Sequence, residues 1–179
     1  MAEFIYFRNQ CSMWYPTGEN FSHAFGYIEE AAFSIDDVFP TGRFILVVRG
    51  HSGSILAGGI AYLLRRKGRD VQISISRKSE STHGYNLEGI YPFDKTDEVH
   101  IIVVDDFTQT GETINAILRD LAEKKMYGRK TFDMLCIANH WDESSFTKEG
   151  GDEYWEAHKE VASHFEYILC NSKIRKKKK

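Results

Sequence analysis

Short runs of β-forming apolar residues alternate with helical segments through the middle of this 179-residue chain. The strand runs are residues 44–48, 71–76, 99–104 and 132–138. The helical segments between them are residues 54–67 and 112–126. Strands that alternate with helices join through right-handed crossovers and form a parallel sheet. The pattern therefore predicts an α/β fold, a mostly parallel sheet with helices on both faces.

The two ends of the chain are less regular than its middle. They hold two strand candidates, residues 3–8 and 165–170, and two helix candidates, residues 21–38 and 152–164. We expect these ends to form a small cover over the site, within a single domain of residues 1–172. Residues 173–179 are all basic except Ile174 and are expected to be a solvated, disordered tail. Residues 77–91 are polar and aperiodic, which predicts a long loop.

Composition excludes several classes of protein. The 42% hydrophobic content is that of a globular chain, and no apolar run approaches the ~20 residues of a membrane span. The N-terminus shows no secretory pattern, and the three cysteines form no CxxC pair. A net charge of -3 disfavours nucleic acid as a partner. We expect a cytoplasmic protein that does not bind a membrane.

The segment that ends the strand at residues 99–104 is the most informative in the chain. Asp105 and Asp106 follow four aliphatic residues, and a turn containing Thr110 and Gly111 then leads into a helix. Unpaired amides and the positive dipole end at a helix N-terminus favour phosphate, and two acids can accept hydrogen bonds from ribose hydroxyls. A simple helix cap would explain Thr110 but not the two adjacent acids.

A second strand, turn and helix place two glycines, Gly50 and Gly53, at the end of the strand at residues 44–48. Backbone amides in such a turn can face an anion. The same residues nearly spell a nucleophile elbow with Ser52 as nucleophile, although Ser54 stands where the last glycine belongs. A serine hydrolase is therefore an alternative.

That hydrolase would need a later acid and histidine, for which Asp142 with His158 or His164 is conceivable. It would leave the segment at residues 105–113 without a role.

The segment at residues 101–113 resembles the signature with which type I phosphoribosyltransferases bind 5-phosphoribosyl-1-pyrophosphate (PRPP). Both have four apolar residues, two acids, a variable trio and Thr-Gly-x-Thr. The resemblance implies that Asp105 and Asp106 serve catalysis at the ribose. It implies that the following turn binds the 5'-phosphate through Thr108, Gln109, Thr110, Gly111, Glu112 and Thr113.

The earlier turn is similar to the pyrophosphate loop of that family, which implies pyrophosphate contacts from Arg49, Gly50, His51, Ser52 and Gly53. Arg49 stands where orotate phosphoribosyltransferases have a lysine.

A third segment resembles the mobile loop that closes over PRPP in orotate phosphoribosyltransferases. Arg77, Lys78, His83 and Gly84 match that loop, and its second lysine is Ser81 here. The match implies catalytic roles for Arg77, Lys78 and His83. In the related enzymes the loop reaches a neighbouring subunit, which implies a homodimer.

The resemblance implies transfer of the phosphoribosyl group to a nucleobase-like acceptor with release of pyrophosphate. Mg²⁺ would be held mainly by oxygens of PRPP, with Asp105 and Asp106 nearby. Ser81 disfavours orotate as the acceptor, and Gln109 disfavours 6-oxopurines because related enzymes carry an aspartate there. A non-catalytic protein that binds PRPP or a nucleotide is a further alternative.

The acceptor base is expected under the cover, beside residues that follow the strand at residues 132–138. These are Asn139, His140 and Trp141.

Overall fold

The computed structural model describes residues 3–6, 21–77, 86–89, 98–107, 112–123, 132–138 and 167–170. The described helices are α1 (Phe21–Val38), α2 (His51–Arg66) and α3 (Glu112–Glu123). The described strands are β1 (Glu3–Tyr6), β2 (Arg43–Val48), β3 (Val71–Ser76), β4 (Leu87–Glu88), β5 (Val99–Phe107), β6 (Phe132–Ala138) and β7 (Tyr167–Cys170).

The seven strands form one sheet in the order β1-β7-β6-β5-β2-β3-β4. The first six strands in this order pair in parallel with their neighbours. Among the described strands only β4 is antiparallel, and it pairs with β3. The predicted α/β fold with a mostly parallel sheet is confirmed. No helix in the described part of the chain is long and apolar enough to cross a bilayer.

Helices cover both faces of the sheet, as predicted. Helices α1 and α2 pack on one face, where Ile35 and Ile60 meet Phe44, Leu46 and Ile102 in a fully buried cluster. Helix α3 packs on the other face. Its buried side chains Ile114, Ile117, Leu118 and Leu121 lie on the helical face that the sequence predicted.

The described parts of the two ends extend the sheet and its helical layer. Strand β1 pairs with β7 at the outer edge, and α1 packs against α2. These segments therefore belong to the main body, where we had expected them in a separate cover. The remaining terminal predictions, the helix at residues 152–164 and the basic tail at residues 173–179, lie outside the described residues.

The structure differs from the sequence prediction at the end of β5, at the start of α2 and in the expected long loop. Strand β5 continues through Phe107 because β6 supports it there, with Asp105 level with Cys136. Helix α2 begins three residues earlier than predicted because Gly50 completes the turn by itself. The expected long loop contains β4, which pairs with the end of β3.

An ion pair at the far end of the sheet fixes α1 to the connection between α2 and β3. The carboxylate of Asp36 accepts hydrogen bonds from Lys67 Nζ at 2.8 Å and Arg69 Nε at 2.6 Å. The Lys67 hydrogen bond is the largest cause that lowers the pKa of Asp36 below 3.8, and Arg69 adds to it against the opposing effect of burial. The charged form of Asp36 is therefore favoured by folding.

We expect Asp36→Asn to lower the free energy of unfolding by about 0.5–1 kcal/mol at pH 7, because the pair is largely solvent-screened. A depressed folded pKa contributes stability above the unfolded value of 3.8, and this is lost as pH falls through the folded pKa. The difference between the two proteins should therefore shrink below about pH 4. Urea unfolding at pH 7 and pH 3 measures it, with the exposed neighbour Asp37→Asn as control; a difference independent of pH would contradict the assignment.

Candidate functional site

The order of strands reverses direction between β2 and β5. From β2 the chain moves outward to β3, whereas from β5 it moves the other way to β6 and β7. The helices that follow β2 and β5 consequently lie on opposite faces of the sheet. In open α/β sheets, ligands bind in the crevice that such a reversal opens at the carboxyl ends of the strands. The turn at residues 49–53 and the acids of the segment at residues 101–113 both lie at this edge of the sheet.

Strand β5 projects beyond the end of β2 at this crevice. Val48 is level with Val104, after which the chain leaves β2, while Asp105 and Phe107 pair with β6. Asp105 is therefore the first residue of β5 past the end of β2, and it is only 6% exposed. Asp105 lies near the carboxyl end of β5, although the strand continues past it to Phe107, and its site role stays a prediction; the side chain of Asp106 lies outside the described part.

The turn between β2 and α2 depends on Gly50. Its φ of 94° and ψ of -178° belong to a region open essentially to glycine alone. The first intrahelical bond is donated by the Ser54 amide to the Gly50 carbonyl at 3.3 Å, and the Ser54 hydroxyl donates to the same oxygen at 2.7 Å. The N–H groups of His51, Ser52 and Gly53 come before this first bond and have no acceptor within the helix. They therefore form the end of α2 that favours an anion.

Close packing at Gly53 brings this helix end against β5. A Cβ at Gly53 would stand 3.0 Å from the carbonyl oxygen of Val104 and 3.5 Å from Val48 Cβ. A larger side chain would push α2 away from the end of β5. The amides that open α2 therefore lie against the backbone of β5 one residue before Asp105.

The side chain of Arg49 contacts the last residue of β3 and helix α3. Its Nη1 donates to Ser76 Oγ at 2.6 Å and to Asp120 Oδ2 at 3.3 Å, and the Ser76 hydroxyl donates to the same carboxylate oxygen at 2.5 Å. Ser76 and Asp120 are 1% and 6% exposed. Three segments that border the crevice, the β2–α2 turn, the end of β3 and helix α3, thus meet in one buried polar cluster.

Sequence reasoning missed Ser76 and Asp120. Residues 71–76 alternate apolar and polar, a pattern that typically turns the polar side chains outward, but Ser74 and Ser76 are buried and Ile75 is 42% exposed. The reason is that Ser74 Oγ donates to the Glu88 carbonyl at 2.6 Å, while Ser76 serves Asp120. One signal was available: Asp120 falls among the apolar positions of α3, where a carboxylate needs a partner.

Arg77 lies at the base of the β3–β4 hairpin. Its amide donates to the Asn86 carbonyl at 2.8 Å, and its Nη2 pairs with Glu88 Oε1 at 2.5 Å. These contacts hold Arg77 and residues 86–88 together at the carboxyl end of β3. The segment of residues 78–85, with Lys78 and His83, lies outside the described residues.

Several predicted site residues fall beyond the described ranges, and their roles remain predictions. Thr113 is half-buried in the first turn of α3, which places the C-terminal side of the proposed phosphate turn. Among the described residues no group of three or more acidic, histidine or cysteine side chains could hold a metal. Besides Lys78 and His83, the predicted site residues outside the described ranges are Thr108, Gln109, Thr110, Gly111, Asn139, His140 and Trp141.

The position of Ser52 argues against the hydrolase alternative. A nucleophile elbow puts its serine on the strained turn between strand and helix. Here the residue with the strained conformation is Gly50, and Ser52 lies inside α2. The remaining triad candidates Asp142, His158 and His164 lie outside the described residues.

No family model and no curated protein matches the chain. Solved structures that it resembles are phosphoribosyltransferases, the family that the segment at residues 101–113 also resembles. An orotate phosphoribosyltransferase from Francisella tularensis is 19% identical with a TM-score of 0.49, over 87% of this chain and 66% of that one. A purine phosphoribosyltransferase from Pyrococcus horikoshii is 16% identical with a TM-score of 0.45, over 85% and 84%.

A hypoxanthine phosphoribosyltransferase from Staphylococcus aureus is 12% identical with a TM-score of 0.44. That match covers 65% of this chain and 62% of the other, so the chain spans less than two thirds of that structure. These likenesses are distant and concern the fold.

Proposed function

We propose that this chain transfers the 5-phosphoribosyl group of PRPP to a nucleobase or related acceptor and releases pyrophosphate. One observation carries the proposal. The glycine turn that opens α2 packs against the backbone of β5 next to Asp105, the first residue of β5 beyond the end of β2, at the reversal of strand order. Helix amides that favour an anion, close to a strand end that carries two acids, suit a sugar with phosphates at both ends.

Each part of PRPP has a proposed place. The turn of residues 108–111 and the start of α3 bind the 5'-phosphate. Asp105 and Asp106 accept hydrogen bonds from the ribose hydroxyls. The amides that open α2 bind the pyrophosphate together with Arg49, which lies beside them.

The proposed reaction needs no nucleophile from the protein. The bond between ribose C1 and the pyrophosphate oxygen breaks with its electron pair leaving on the pyrophosphate, and a ring nitrogen of the base forms the new bond to C1. The protein lowers the barrier by holding base and sugar in line and by stabilising charge on the leaving group. Arg49, Lys78 and the α2 amides are the groups proposed to carry that charge.

The donor set of the site fits Mg²⁺ held mainly by substrate. Asp105 and Asp106 are the two acids of β5 beyond the end of β2. Mg²⁺ commonly keeps waters and binds through phosphate oxygens with one or two carboxylates. When bound, it would neutralise phosphate charge; Asp105 and Asp106 would stay near it.

The segment of residues 78–85 is proposed to close over PRPP and to bring Lys78 and His83 to the leaving group. Its start at the carboxyl end of β3, next to the pair of Arg77 and Glu88, supports this role. A homodimer and a cytoplasmic location are proposed with it.

A non-catalytic PRPP-binding protein is the second candidate. It is favoured by Ser81, which replaces a lysine of the resembled loop, and by the pairing of Arg77 with Glu88.

The test is a screen of purine and pyrimidine bases with PRPP and Mg²⁺, with pyrophosphate release as the readout. We expect release that depends on one base or a small group of bases and that is absent in Asp105→Asn. PRPP binding without release for any base would favour the second candidate. If PRPP neither binds nor reacts, the proposed function is wrong.

A further inference from the structure

We propose that Asp120 and Ser76 are positioning residues for pyrophosphate binding. Their hydrogen bonds to Nη1 of Arg49 fix the orientation of the guanidinium group, so that Nε and Nη2 can bind the pyrophosphate of PRPP. This inference rests on the proposed function and assigns a role to two side chains outside the motifs that suggested it.

The contacts of Arg49 divide its guanidinium in two. Within the described part of the chain, its hydrogen bonds to Ser76 and Asp120 both pass through Nη1. Guanidinium is planar and carries five N–H donors in a rigid fork, so fixing one nitrogen also fixes the direction of Nε and Nη2. The side chain retains 18% exposure, and Arg49 directly precedes the glycine turn that opens α2.

The burial of Asp120 favours its pairing with Arg49. Asp120 is a carboxylate among the buried apolar residues of α3, and an unpaired charge there would be strongly unfavourable. Ser76 accepts from Arg49 and donates to Asp120, which closes a triangle of three hydrogen bonds. A closed triangle restricts the arginine to one direction before ligand arrives, which lowers the entropy lost on binding.

The arrangement also gives a reason for arginine at a position where resembled orotate enzymes carry lysine. A lysine ammonium is a single point charge. A lysine that paired with Asp120 could not also reach the ligand. A lysine that reached the ligand would leave the buried carboxylate of Asp120 unpaired. Arg49 can make both contacts at once.

The experiment compares two ligands by titration calorimetry in the presence of Mg²⁺: PRPP, and ribose 5-phosphate, which lacks the pyrophosphate. The variants are Asp120→Asn, Ser76→Ala and Arg49→Lys in the full chain. We expect each to weaken PRPP binding about tenfold or more, the scale of one hydrogen bond to a charged group. Ribose 5-phosphate binding should stay within about twofold of wild type, because its proposed contacts lie on β5 and at the start of α3, about two turns of helix before Asp120.

Asp36→Asn is the matched control. It also replaces a carboxylate that accepts from two cationic side chains, but at the far end of the sheet. We expect it to lower stability without changing the affinity for either ligand. A double variant, Arg49→Lys with Asp120→Asn, should bind PRPP about as weakly as Arg49→Lys alone, because residues that act through one another are not additive.

The two hypotheses fail in different ways. If wild type binds neither ligand, the proposed function is wrong. If wild type binds PRPP but the variants lose both ligands equally, or lose neither, Asp120 and Ser76 have no positioning role although the function stands. If Asp120→Asn does not fold, Ser76→Ala and Arg49→Lys decide the question by the same comparison.

Discussion

PRPP with Mg²⁺, at about 100 times its dissociation constant, should stabilise the wild-type fold by about 2.7 kcal/mol. For a chain of this length that corresponds to a rise of roughly 5–10 °C in Tm. Most of the rise should disappear in Asp105→Asn and Asp106→Asn, because an amide presents an N–H group where the carboxylate accepted a ribose hydroxyl. Thermal melts with and without PRPP measure the effect.

The same melts without ligand separate binding from stability. Asp105 is buried, so Asp105→Asn is expected to change the ligand-free Tm as well, and the quantity to compare is the shift that ligand produces in each protein. Asp36→Asn, whose carboxylate lies away from the crevice, should keep the full shift. A wild-type melting curve that millimolar PRPP leaves unchanged, or a shift in both acid variants as large as that of wild type, contradicts the assignment.

Gly50→Ala should be the most damaging small substitution at the crevice. The φ of 94° and ψ of -178° at Gly50 are strained for any residue with a Cβ, at about 1–3 kcal/mol. To relieve the strain, the start of α2 must rotate, and the amides that face the pyrophosphate move with it. We expect both a lower free energy of unfolding and weaker PRPP binding.

Gly58→Ala in the same helix is the matched control. Gly58 is exposed, and a Cβ there meets nothing within 4 Å. Alanine at this helical position should raise the free energy of unfolding by about 0.5–1 kcal/mol and leave ligand binding unchanged. Urea unfolding and PRPP titration of both variants provide the comparison. Similar effects of the two substitutions would show that the turn conformation is not what matters.

The arrangement of the fold was largely predictable from the sequence. Strands β3 and β6 and helix α1 have the predicted bounds, because their apolar patterns and flanking residues are unambiguous. The ends of β5 and α2 were less predictable. Strand β5 continues past its aliphatic run because the neighbouring β6 supplies hydrogen bonds to Asp105 and Phe107, and pairing with a neighbour is not visible in local sequence.

The candidate site was predictable only where local motifs define it. The acid at the end of β5 and the glycine turn before α2 can be recognised because strand, turn and helix are consecutive in the chain. The cluster of Arg49, Ser76 and Asp120 joins residues that are 27 and 71 positions apart from the arginine. Such a cluster depends on the order of the strands, which the alternation of elements does not specify.

A crystal structure of the chain with PRPP and Mg²⁺ is the most direct test of the central claim. We predict the sugar at the carboxyl edge between β2 and β5, with its 5'-phosphate within hydrogen-bond distance of amides from residues 108–113 and its hydroxyls on Asp105 or Asp106. Nucleotide bound elsewhere, with this crevice empty or its amides bonded within the protein, would contradict the account.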